Sequence, residues 1–78
     1  MSESDRIRIG NRIKRRRLEL GLSVRKLSDI CGVPFNSISR IENGNWSASI
    51  DIISQICSAL NLRIDLVDNH LRIDDSNE

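Results

Sequence analysis

Residues 21–44, GLSVRKLSDICGVPFNSISRIENG, fix where helices in this chain can start and stop. Ser23 offers a side-chain oxygen to the free N–H groups at the start of a helix that runs through Cys31. Gly32 can end that helix in the left-handed conformation that other residues resist. Pro34, whose ring holds φ near the helical value, opens a second helix that stops at Gly44. Helices this short, joined by a turn of three to four residues, cannot bury enough apolar surface alone. The rest of the chain must therefore act as their scaffold.

Helical phase at about 100° per residue then divides the second helix. Pro34, Ile38 and Ile41 fall on one side; Asn36, Ser39, Arg40 and Asn43 fall opposite. The outward side consists of polar hydrogen bonders. Asn can pair bidentately with adenine and Arg with guanine, so these are the side chains that major-groove readout requires. An ordinary solvated face has the same polar character. The spacing of the two helices is what tips the reading towards a helix-turn-helix whose second helix enters the groove.

Over Ile9 to Leu62 the chain resembles the phage-repressor and Cro type (XRE-like) of helix-turn-helix regulators. The resemblance rests on IGNRIK at the start of helix one, LGLS before helix two, GVP-x-x-SISRIENG across the turn and helix three, and S-I-D-x-I-x-x-I-x-x-A-L in helix four. It implies an all-α, compact bundle of four to five helices, lambda-repressor-like, that binds operator DNA as a homodimer. By position it places Phe35, Asn36, Ser39 and Arg40 against base edges, and Ser23, Ser37, Asn43 and Asn45 against phosphates; Arg25 is expected to join the phosphate contacts. Two residues depart from the family: Val24 stands where many members carry Gln, and Phe35 where many carry a polar residue. Phe35 also sits at the edge of the buried arc, so it can serve the core or rim, or touch a thymine methyl.

The formal charge of +1 conceals a polarity along the chain. Residues 6–40 hold ten Lys or Arg against two acids, +8, whereas residues 41–78 hold two against seven, −5; Glu3 and Asp5 supply the other −2. The basic half contains the two short helices. Such a field speeds encounter with a phosphate backbone and adds salt-sensitive, sequence-independent affinity.

In helix one, Ile9, Ile13 and Leu20 form the apolar stripe, and the spacing sets Arg17 among them. A charge there needs a partner, or must snorkel to solvent along the bundle edge. The family resemblance supplies Glu42 of helix three as that partner, making Arg17–Glu42 a structural ion pair. Helix four carries one stripe of Ile50, Ile53, Cys57 and Leu60 and a second of Ile52, Ile56 and Ala59. The second is wider than a core requires and asks to be covered by the C-terminal segment or by another subunit. Cys31 and Cys57 lie on apolar stripes and read as reduced core cysteines, since no metal-ligand spacing accompanies them. Trp46 precedes helix four and can pack on the bundle surface, meet DNA backbone or join an interface.

Beyond helix four the period becomes alternating. In RIDLVDNHLRID a turn at Asp68 and Asn69 would pair Arg63 with Asp74, Ile64 with Ile73, Asp65 with Arg72 and Leu66 with Leu71. The segment is expected to form a C-terminal β-strand or hairpin, or to pair with its symmetry mate about Ile64. The expected organisation is a DNA-binding domain over 1–62, a dimerisation element over 63–74 and a disordered tail over 75–78. Dimerisation is assigned to Ile52, Ile56, Ile64, Leu66, Leu71 and Ile73.

Other functional classes find little purchase. His70, the single histidine, falls in the expected turn with no nucleophile or metal cluster around it, and the four glycines are too scattered for a phosphate loop. No catalytic residue, cofactor or metal is therefore expected. No signal peptide and no apolar run long enough to span a bilayer are seen, which makes a cytoplasmic protein the expectation. With 78 residues, only about 60% of the unfolded surface can be buried, so a second subunit would add stability. These readings converge on an operator-binding, homodimeric transcriptional repressor acting on a palindromic DNA site. The competing class is an antitoxin, for which neutralising a toxin partner is the main task and control of its own operon the secondary one.

Overall fold

Three serines set the starts of three helices. Ser2 Oγ accepts from the Asp5 N–H, Ser23 Oγ from the Lys26 N–H and Ser49 Oγ from the Ile52 N–H, at 3.0, 3.0 and 3.3 Å. Each hydroxyl satisfies an N–H that has no partner within its own helix. A computed structural model describes residues 2–68, with α1 at Glu3–Glu19, α2 at Val24–Cys31, α3 at Phe35–Glu42 and α4 at Ile50–Ala59. α3 has no side-chain cap; Pro34 precedes it in an extended conformation. α1 begins six residues before the Ile9 that opens the recognised motif, because Ser2 caps it and Asp5 pairs with Arg8 at 2.8 Å inside its first turns.

The ends of α1, α3 and α4 share one geometry. Gly21, Gly44 and Asn61 adopt positive φ, and the N–H groups of Leu22, Asn45 and Leu62 reach back to the carbonyls of Arg17, Arg40 and Cys57 at 3.0, 2.9 and 2.8 Å. This is the Schellman closure, which satisfies carbonyls that the helix leaves orphaned. α2 ends more simply, with Gly32 at φ +78° and its N–H on the Ser28 carbonyl.

α3 packs against α1 and α2, and α2 packs in turn against α4. Ile13, Leu27, Val33, Ile38, Ile41, Ile53, Ile56 and Leu60 fill the centre. Burying one such side chain contributes about 1.5–3 kcal/mol relative to leaving it exposed. α1 can approach α3 closely because residue 10 is glycine: a Cβ there would overlap the Ile41 carbonyl.

Several sequence expectations are corrected. Leu20 is exposed, since α1 stops at Glu19 and the chain turns away from the core at Leu20. On α4, Ile56 is 0% exposed whereas Ile50 is 67% exposed, so the core stripe runs through Ile53, Ile56, Cys57 and Leu60. Ile56, assigned to a dimer interface, is enclosed by its own chain and has no surface to share. Trp46 is 7% exposed and joins the core, its Nε1 donating to the Arg6 carbonyl at 3.0 Å. Among the described residues no β-strand is present: 63–68 form no ladder with any of them, and Ile64 and Leu66 are exposed. The second arm of the expected hairpin, with His70, Leu71 and Ile73, lies outside the described residues, as does the 75–78 tail. Among the described residues no helix is long and apolar enough to cross a membrane.

Candidate nucleic-acid interface

α3 is held from beneath by apolar burial and from one end by charge. Ile38 and Ile41 point into the core, and Glu42, in the last turn, faces Arg17 of α1. Arg17 Nε donates to Glu42 Oε2 at 2.7 Å, Nη2 donates to Oε1 at 2.9 Å, and Nη1 donates to the Leu22 carbonyl at 2.7 Å. Both partners are buried. The bond to Glu42 raises the Arg17 pKa further above its ordinary value, outweighing the opposing effect of burial. A fork this well satisfied fixes the rotation of α3 about its own axis.

The turn is fastened as well. Ser28 Oγ donates to the Val33 carbonyl at 2.6 Å, tying the last turn of α2 to the turn that leads into α3. No sequence pattern marks Ser28 for this role; it reads as one more polar residue of α2. Arg16 is a similar case, because within a basic run it looks solvated, yet Nε donates to the Leu60 carbonyl at 3.0 Å and secures the end of α4.

With its inner face so fixed, α3 turns the expected polar residues outward. Asn36, Arg40 and Asn43 are exposed and Ser39 is half-buried. Phe35 is 38% exposed, and the Arg25 guanidinium carbon lies 4.3 Å from its ring centroid. The candidate base-reading residues thus form one surface, which Arg25 of α2 adjoins. Among the candidate phosphate-binding residues, the Ser23 hydroxyl oxygen is occupied by its cap bond but keeps a proton to donate. The backbone N–H groups of Asn43 and Asn45 are engaged by the Ser39 and Arg40 carbonyls, which leaves their side chains for a ligand. Ser37 is half-buried and lines a groove of about 270 Å³ with Pro34, Arg40, Trp46 and Ser47. A second cationic surface runs along the outer side of α1, where Arg8, Arg12 and Arg15 border an open groove with Ser4, Ile7 and Asn11.

A family model described as helix-turn-helix matches residues 13–67, most of the chain and all of α2, α3 and α4. The chain belongs to the phage-repressor and Cro type of helix-turn-helix family. It is accordingly a DNA-binding regulator of transcription. No curated protein and no solved structure matches the chain. Within this family α3 occupies the place of the reading helix, and the polar surface just described is the one it offers.

Proposed function

We propose that this regulator is a sequence-specific, homodimeric repressor that reads a palindromic operator. Phe35, Asn36, Ser39 and Arg40 contact base edges, while Ser23, Arg25, Ser37, Asn43 and Asn45 grip phosphates. The observation that carries the reading is the outward surface of α3. Asn36 and Arg40, side chains suited to adenine and guanine, make no hydrogen bond to protein among the described residues and stand exposed on a helix locked from below. The dimer reading draws on apolar side chains left at the surface: Ile50 at 67%, Leu66 at 94% and Val67 at 86% exposure, with Ile52 half-buried on α4. A second copy covering Ile52, Ile64 and Leu66 would remove this surface from water. The same residues would suit a toxin in the antitoxin reading, which gains ground if the purified chain stays monomeric.

Selection of bound duplexes from a random DNA pool at two salt concentrations tests the proposal. Enrichment of a palindrome that persists at high salt is expected, with half-sites about 10 bp apart or a multiple. Binding that enriches no sequence and vanishes with salt would contradict it.

A further inference from the structure

We infer that Phe35 reads the C5 methyl group of a pyrimidine in the major groove and that Arg25 is its positioning residue, an inference that rests on the operator-binding reading above. Phe35 is the first residue of α3, and in a helix-turn-helix the N-terminal residues of the second helix are the ones that reach base edges. A phenyl ring carries no hydrogen-bonding atom, so it cannot sense the donor and acceptor pattern that separates most base pairs. The apolar feature in the major groove is the thymine methyl. Phe35 is thus matched by chemistry to a 5-methylpyrimidine.

The ring is also placed for the task. Ile38 and Ile41 supply the core contacts of α3, whereas Phe35 keeps 38% of its surface exposed, on the flank of the arc that carries Asn36, Ser39 and Arg40. Arg25 covers part of it, with the guanidinium carbon 4.3 Å from the ring centroid. That distance is within the range of a cation held on an aromatic face. Among the described residues Arg25 has no ion pair, so no carboxylate draws it away from the ring. A restrained ring meets a methyl at lower entropic cost than one that must be ordered on binding.

The test uses the full chain and its selected operator, with each thymine replaced in turn by deoxyuridine, which deletes only the methyl. At one position in each half-site the affinity should drop about fourfold, equivalent to about 0.8 kcal/mol for one buried carbon. With cytosine at that position, changing it to 5-methylcytosine should restore a similar factor. Phe35→Ala should bring the thymine-to-uracil ratio to one while the chain stays folded, as judged by circular dichroism. Arg25→Ala should weaken binding to all DNA and also lower that ratio; an arginine serving only phosphate would lower affinity and leave the ratio intact. The inference is overturned if every thymine tolerates uracil, or if the ratio survives Phe35→Ala. In either case the enriched palindrome would still stand, so the wider reading fails only with the selection itself. The uracil comparison needs no variant and does not depend on whether one folds.

Discussion

Arg17 and Glu42, twenty-five positions apart, meet through two parallel hydrogen bonds that join the first helix to the last turn of the third. Because both groups are buried, neither can be removed without stranding the other. Glu42→Ala should destabilise the fold by about 3–5 kcal/mol, and replacement of both residues by apolar ones of similar size should cost far less. Urea denaturation of the two variants separates these outcomes. Equal losses would show that packing, not the stranded charge, sets the cost.

Arg40→Ala and Asn36→Ala should each cost about 1–3 kcal/mol on the operator and much less on random duplex. Both side chains are exposed, so melting temperatures should hardly move. Fluorescence anisotropy on the two DNAs provides the comparison, and equal losses on both would assign these residues to phosphate.

Gly10→Ala drives a methyl into the Ile41 carbonyl, whereas Gly21→Ala meets nothing within 4 Å and bears only the strain of φ +71°. We expect Gly10→Ala to lose about 1–3 kcal/mol through overpacking and to weaken operator binding by shifting α3. Gly21→Ala should lose about 1–2 kcal/mol, the usual cost of the left-handed conformation, with operator affinity intact. Thermal melts paired with binding isotherms measure both.

Burial pushes the Cys57 thiol above its ordinary pKa, and Cys31 is only half-buried. The fold therefore favours the neutral form of Cys57, and the stability linked to that preference is complete at neutral pH. It declines as pH climbs past the ordinary thiol range and through the raised value. A disulfide exchange reagent should label Cys31 first and Cys57 at a rate that follows unfolding. Equal labelling rates in the native state would argue for an open path to α4.

Removal of residues 63–78 should lower dimer and operator affinity together. The cut preserves Leu62, which packs on the core and whose N–H closes α4. Sedimentation velocity at micromolar concentrations reports the outcome. An unchanged dimer would place its interface on α4 or the loop before it.

Local chemistry made much of this fold readable. Ser23 starts α2 with its hydroxyl and Gly32 ends it in the left-handed conformation, while the phase of α1 placed a charge on an apolar stripe and the family resemblance named Glu42 as its partner. α4 was less legible because its apolar residues cover almost half of its circumference, more than the core can enclose. Within the helix Ile50 reads as core and Ile56 as part of the second stripe, and packing against the rest of the bundle, α2 included, reverses the two. Trp46 and Ser28 were hidden for another reason. Trp46 bonds to a backbone carbonyl forty residues away and Ser28 reaches across a turn, and neither contact leaves a periodic trace in sequence. On α3, periodicity identified which side faces outward, whereas the stacking of Arg25 on Phe35 depends on how two helices cross.

The run Lys14 to Arg17 divides its labour between solvent and architecture. Lys14 and Arg15 are exposed, while Arg16 is tied to Leu60 at the end of α4 and Arg17 to Glu42 at the end of α3. Dissolved ions screen charges at the surface far more than those enclosed by protein. A rise in ionic strength would therefore loosen the hold of this protein on a duplex long before it troubled the joint at Arg17. Occupancy of a genome could then follow the ionic state of its surroundings while the molecule itself kept its shape.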